Sequence, residues 1–284
     1  MEPEKLVPEL FEYKDELGVY IGKHKGIMMV LKIKGDIEHE AKLIMSLDNP
    51  DSRYHSIVKC YGTGILNSFV GVLTEYANGG DLFTFICNLE DNPFRFNPDY
   101  LVTIIYQIAV GIGDIHKRGV FHGDIKAENI VLQKDNECVR AIIIDFEHAI
   151  EDDQKVLEYG TPQYFPPEMD GKTPLTMAAD IYAFGVCILL ILMPEIGRIP
   201  KFEEIVEIMK IRTPLFEKLE PLKWILERIF VKDPMKRITI EEILSFEFFD
   251  SRKPYMYDRY YSAAKNFVNN DPDDSDFDSF LGGK

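Results

Sequence analysis

An acid, a lysine and an amide crowd into one short segment, His122-Gly123-Asp124-Ile125-Lys126-Ala127-Glu128-Asn129, and a second acid, Asp145, closes the apolar run that follows. Together these groups suit the transfer of a phosphoryl group. A carboxylate such as Asp124 accepts a proton from an incoming hydroxyl, and the Lys126 ammonium offsets charge on the group in transit. Asn129 and Asp145 supply the hard oxygen donors that Mg²⁺ prefers.

Such groups must be held by rigid elements, and the flanking sequence supplies them. Ile27-Met28-Met29-Val30-Leu31 is a strand-like apolar run that ends in Lys32. Apolar residues at 43, 44 and 47 recur at helical spacing, which predicts a helix through Glu40-Ala41-Lys42-Leu43-Ile44-Met45-Ser46-Leu47. Val72-Leu73-Thr74-Glu75-Tyr76 reads as a buried strand entering the turn Asn78-Gly79-Gly80. Leu101 to Lys117 reads as a long helix with apolar positions throughout, as in a helix buried on most faces.

The ordered set resembles the eukaryotic-type protein kinases. The carriers are the catalytic-loop segment 122–129, Asp145-Phe146, and the Val30-Leu31-Lys32 strand end. Further along come Gly160-Thr161-Pro162-Gln163-Tyr164-Phe165-Pro166-Pro167-Glu168, Asp180-Ile181-Tyr182-Ala183-Phe184-Gly185, and Asp233-Pro234-Met235-Lys236-Arg237-Ile238-Thr239. The resemblance implies an α+β, bilobal fold. It has a trimmed β-rich N-lobe over 1–76, a mainly helical C-lobe over 77–250, and an extension over 251–284.

The resemblance also implies ATP and Mg²⁺ as cofactors, and it assigns roles. Lys32 would bind phosphates and pair with Glu40, or with Glu38 as the alternative; the connection is short for the family. Val19, Val30 and Val131 would line the nucleotide, with Thr74 as gatekeeper. The backbone of Glu75 and Ala77 would meet the adenine edge, and Asp81 the ribose or the substrate. Asp124 and Lys126 would be catalytic, and Asn129 and Asp145 would hold the metal. Glu128 would grip a basic residue upstream of the acceptor, and Thr161 would bond the catalytic loop beside the substrate. Glu168 and Arg237 would form a buried ion pair, and Asp180 would hold the catalytic-loop backbone.

Three departures stand against the pattern. Where the family has a glycine-rich loop, this chain reads Leu10-Phe11-Glu12-Tyr13-Lys14-Asp15-Glu16-Leu17-Gly18-Val19, which weakens any backbone cradle for phosphates. Glu147 replaces the glycine after Asp145-Phe146, where it would perturb or supplement metal binding. Gly123 replaces the arginine that reads a phosphate on the activation segment, although some family members with this HGD sequence are active. Two readings follow. The leading one is an active serine/threonine kinase, favoured by Lys126 and Thr161; the alternative is a pseudokinase serving as a scaffold or allosteric module.

At 284 residues and 46% hydrophobic, the chain can bury a core for two lobes. The formal net charge of −16 disfavours nucleic acid and anionic membranes and favours a basic protein substrate. Residues 181–193 are the most apolar stretch and are too short to span a bilayer, so no membrane insertion is expected. The opening MEPEKLVPE has no apolar leader. Cys60, Cys87, Cys138 and Cys187 show no metal or disulfide spacing. They read as buried, reduced thiols of a cytoplasmic or nuclear protein. The acidic run 269–280 carries Phe277 and Phe280, with Leu281 beside it, and is read as a disordered solubilising tail or a segment that docks on a partner or back on the small lobe.

Overall fold

The computed structural model describes residues 3–15, 18–48, 55–88, 98–135, 138–151, 160–170, 174–196, 198–210 and 217–250. Six strands open the chain: β1 (Glu4–Lys5), β2 (Phe11–Asp15), β3 (Val19–His24), β4 (Ile27–Lys32), β5 (Cys60–Leu66) and β6 (Phe69–Glu75). They form one sheet in the order β1-β5-β6-β4-β3-β2. Alternation along β4 turns Met29 and Leu31 inward, where they join Leu6, Leu66 and Leu73 in a small core. The edge strand β1 runs parallel to β5 and seats Leu6 there, a pairing that two residues of strand do not announce in the sequence.

Helix α1 (Ile37–Leu47) crosses between β4 and β5. Asp36 caps it by accepting the His39 N–H at 3.1 Å, satisfying one of the donors a helix start leaves open. Its buried face, Ala41, Leu43, Ile44 and Leu47, packs on β5 and β6 and joins the large hydrophobic cluster that extends into the second lobe. The helix is thereby packed between the two lobes, which is what gives Glu40 a fixed position. Glu38 faces water and pairs with Lys42 at 2.6 Å, so Glu40 and not Glu38 is the partner turned towards Lys32.

The second lobe contains α2 (Leu82–Cys87), α3 (Pro98–His116), β7 (Val120–Phe121), β8 (Ile130–Asp135), β9 (Cys138–Ile143) and β10 (Ile150–Glu151). It continues with α4 (Met177–Leu192), α5 (Phe202–Ile208), α6 (Glu220–Ile229), α7 (Ile240–Leu244) and α8 (Glu247–Asp250). Every residue of α4 from Ala179 to Leu192 is buried, as expected of a helix apolar on all faces. The antiparallel hairpin β8–β9 and the short ladder β7–β10 bracket the loops that carry Asp124 and Asp145. The architecture is bilobal α+β.

Arg237 ties the second lobe together. Its guanidinium donates to both oxygens of Glu168 (2.6 and 2.8 Å) and to the carbonyls of Ala178, Val231 and Ile229 (2.6, 2.9 and 3.1 Å). All five N–H donors are therefore satisfied. Tyr182 packs its ring 5.3 Å from the same guanidinium. Of the cysteines whose side chains are described, Cys187 is buried, Cys60 is half-buried and Cys87 is exposed, which corrects the expectation of burial for Cys87.

Candidate active site

The catalytic-loop segment is held from behind by a carboxylate and a histidine. Asp180, at the start of α4, accepts the backbone N–H groups of His122 (2.9 Å) and Gly123 (3.0 Å) and lies 3.0 Å from His116 Nε2. His122 is fully buried beneath the loop. The Asp124 N–H donates to its Nδ1 at 3.2 Å, so its proton sits on Nε2 and points to the Ile144 carbonyl, also at 3.2 Å. Burial holds His122 below the ordinary histidine range, against the pull of Asp180, Asp145 and Asp124. Phe146 packs edge-on against this ring at 4.8 Å and is itself wholly buried.

Gly123 adopts φ +81°, a left-handed conformation that costs a side-chain-bearing residue about 1–2 kcal/mol. Glycine at this point removes a guanidinium and relaxes the turn at the same time.

Asp124 then presents a carboxylate with both oxygens engaged. Oδ1 accepts the Thr161 hydroxyl at 2.7 Å. Oδ2 accepts Lys126 Nζ at 2.6 Å and Asn129 Nδ2 at 3.0 Å. Lys126 also donates to Thr161 Oγ1 at 2.8 Å, which closes a ring of Asp124, Lys126 and Thr161. Thr161 thus joins the 160–168 segment to the loop. Tyr164 strengthens that joint, accepting the Ala127 N–H at 3.2 Å and donating to Glu128 at 3.1 Å.

Lys32 meets more acid than the sequence suggested. Its ammonium lies 2.6 Å from Asp145 Oδ1, 2.9 Å from Glu147 Oε2 and 3.2 Å from Glu40 Oε2. Burial alone would push Lys32 down. The Asp145 and Glu40 carboxylates outweigh it and hold Lys32 above the usual lysine range. Burial likewise raises Asp145, but Lys32 overrides that and keeps its carboxyl low. Glu40, 2% exposed, accepts the Phe146 N–H at 3.1 Å and is pushed up by burial. With three carboxylates sharing one cation, the most buried is the least compensated. Glu147 lies against Lys32, on the same ammonium as Asp145.

Mg²⁺ would find a compatible donor set here. Asn129 spends its Nδ2 on the Asp124 carboxylate and main-chain carbonyl, so its Oδ1 is the oxygen a cation would use. Asp145, at φ +65°, offers a carboxylate of lowered pKa. Among the described residues no three His, Cys, Asp or Glu side chains are grouped to hold a metal alone. One carboxylate and one amide, completed by phosphates and water, is how Mg²⁺ is commonly held.

The expected nucleotide-lining positions are spread over the facing edges of the two lobes. Val19 lies opposite Lys32 across β3–β4, Val30 opposite Thr74 across β4–β6, and Val131 on β8 bridges to Asp81. These, with Glu75 and Ala77, are half-buried. Two expectations narrow. The Glu75 N–H donates to the Lys59 carbonyl at 3.0 Å, so only its carbonyl could meet an adenine edge. Its carboxylate pairs with Arg140 and accepts the Lys59 N–H at 2.9 Å. Asp81 uses both carboxylate oxygens to cap α2, accepting the Thr84 N–H at 2.7 Å and hydroxyl at 2.8 Å. A capping role therefore competes with any contact to ribose or substrate.

The two-lobed fold thus gathers Asp124, Lys126 and Asn129 on one loop, with Lys32 held by Glu40 and Asp145 on the elements beside it. Residues 30–249 match the protein kinase domain family, and the chain belongs to it. It is 28% identical over 264 residues to an Aurora kinase of Debaryomyces hansenii, covering 85% of this chain and 61% of that protein. It is 25% identical over 292 residues to calcium/calmodulin-dependent protein kinase type 1 of Caenorhabditis elegans, covering 92% and 80%. It is 30% identical over 224 residues to serine/threonine-protein kinase SRK2E of Arabidopsis thaliana, covering 71% and 58%. The chain thus spans about three-fifths of the Aurora and SRK2E proteins.

Proposed function

We propose that this chain is an active, Mg²⁺- and ATP-dependent protein serine/threonine kinase that favours acceptors in a basic context. The observation that carries the reading is the ring of Asp124, Lys126 and Thr161, with Asn129 also on Asp124, at contacts of 2.6–3.0 Å. In this reading Asp124 orients the acceptor hydroxyl and takes its proton on a carboxylate oxygen, exchanging its Thr161 or Lys126 contact for the substrate. Lys126 faces the phosphoryl group in transit, and Lys32 binds the phosphates that stay behind. Asn129 and Asp145 would hold Mg²⁺, which when bound would neutralise phosphate charge. The likeness to serine/threonine-protein kinase SRK2E supports the acceptor class.

The basic preference rests on Glu128, exposed beside the loop, and on the formal net charge of −16. A cytoplasmic or nuclear setting accords with cysteines that show no disulfide or metal spacing. Among the described residues no helix is long and apolar enough to cross a membrane. The acidic tail, a candidate docking segment, lies outside the described residues. Assay of the purified chain with labelled ATP, Mg²⁺ and basic peptides tests the proposal. A second reading, a pseudokinase that acts by binding, is favoured by one observation: Lys32 is surrounded by the protein's own carboxylates. Failure to transfer phosphate under any metal would establish it.

A further inference from the structure

We infer that Glu147 is the residue that sets nucleotide specificity at Lys32, acting as an internal competitor for the phosphates. This deepens the kinase reading and rests on it. An ammonium has three N–H donors. Lys32 donates to Asp145 Oδ1 at 2.6 Å and to Glu40 Oε1 at 3.4 Å, and its ammonium lies 2.9 Å from Glu147 Oε2. A phosphate oxygen would be a fourth acceptor for three donors, so one carboxylate must leave before Lys32 can bind it.

The surroundings decide which one leaves. Glu40 is fixed by burial and by the Phe146 N–H at 3.1 Å. Asp145 makes the shortest contact and belongs to the metal donor pair. The Glu147 side chain is 36% exposed, so its carboxylate can move into water at little desolvation cost. Glu147 nevertheless has a shaped seat. Gly35, at φ +90° in the connection between β4 and α1, lies so close that a Cβ there would fall 2.8 Å from the Glu147 carboxyl carbon. The absence of a side chain at Gly35 is what admits the carboxylate beside Lys32.

Charge adds to geometry. Three carboxylates around one ammonium leave a net negative site, and an incoming polyphosphate meets that repulsion until Glu147 withdraws. Wild-type protein is therefore expected to bind ATP little better than adenosine. The adenosine moiety gains nothing from Lys32 and should be indifferent to Glu147.

The test uses the full chain as wild type, Glu147→Gln and Glu147→Gly. Calorimetric titration with adenosine and with the β,γ-imido analogue of ATP plus Mg²⁺ gives the ratio of affinities. In parallel, the rate of acylation of Lys32 by an amine reagent, read by peptide mass spectrometry on nucleotide-free protein, reports the contact itself. Both variants should raise the ATP-analogue preference tenfold or more, leave adenosine binding unchanged, and speed Lys32 acylation several-fold. If acylation rises while the preference stays fixed, the contact exists without competing, and the inference is overturned. If neither changes while the wild type binds both ligands, the inference fails and the kinase reading stands. If no form binds either ligand, the nucleotide-binding reading itself fails and takes the inference with it.

Discussion

At the scale of single residues, the site works through shared hydrogen bonds. Asp124 holds Thr161, Lys126 and Asn129 at once, so its position is over-determined and its carboxylate is aimed before any substrate arrives. His122 contributes by staying neutral: its Nδ1 must accept the Asp124 N–H while Nε2 donates. Its lowered pKa fixes a pH dependence. The unfolded chain binds a proton near the ordinary value of about 6.5, and the folded chain resists it. The stability from this group is thus full above that value and is lost as pH falls towards the folded pKa. We expect the thermal midpoint to drop on acidification below about pH 6.5, and His122→Gln to flatten that part of the profile. A midpoint independent of pH in this window would contradict the assignment.

These residues were unequally legible in the sequence. Asp124, Lys126, Asn129 and Asp145 could be picked out because their chemistry and spacing are local to two short loops. The Lys32–Glu147 contact could not, since it depends on Gly35 lacking a Cβ and on the fold bringing distant residues within 2.9 Å. The capping role of Asp81 had a visible signal, an acid three residues before Thr84 at a helix start, which a reading directed at ligand contacts passed over.

At the scale of elements, strand β4, helix α1 and the metal loop form one unit. α1 contributes Glu40 to Lys32, and the His39 ring nitrogen Nε2 lies 3.1 Å from the Ala149 carbonyl just beyond the metal loop. The helix was legible from its 43, 44, 47 periodicity, whereas its docking against the second lobe's core was not. The 160–168 segment is positioned differently, by Thr161 and Tyr164 on the catalytic loop and by Glu168 on Arg237. Because Gly123 supplies no arginine to read a phosphate, these contacts are expected to hold the segment without one. Phosphatase treatment should leave the transfer rate unchanged; a fall of about tenfold or more would show that a phosphate orders this segment after all. Glu168→Ala should destabilise the fold by roughly 3–5 kcal/mol, because it leaves Arg237 buried without its counter-charge. Chemical denaturation read by circular dichroism measures this, and a loss below about 1 kcal/mol would reduce the pair to a surface-like contact.

On the scale of the whole molecule, charge is the dominant property. A formal net charge of −16 over 284 residues attracts cationic peptides and repels polyanions. Glu128, exposed and lightly held by Tyr164, is the local expression of that field beside the catalytic loop. Peptides with arginine or lysine upstream of the acceptor should be preferred. That preference should weaken as salt shortens the Debye length below about 8 Å, and Glu128→Ala should reduce it at low salt. A positional peptide array that shows no gain from upstream basic residues would remove the basophilic part of the proposal. The bilobal fold itself was legible from motif order along the chain. The edge strand β1 was not, because two paired residues carry no pattern of their own.

The role proposed for Asp124 is to accept the acceptor's proton in a working phosphoryl-transfer site. Its most direct test is a single comparison: purified wild type against Asp124→Asn, each given labelled ATP, Mg²⁺ and a basic serine peptide. The substitution keeps the side chain's shape and removes its basicity. The account predicts measurable transfer by the wild type and a loss of about 10²–10⁴ in the variant, with both proteins equally folded. Equal turnover by the two proteins, or none by the wild type, would contradict it.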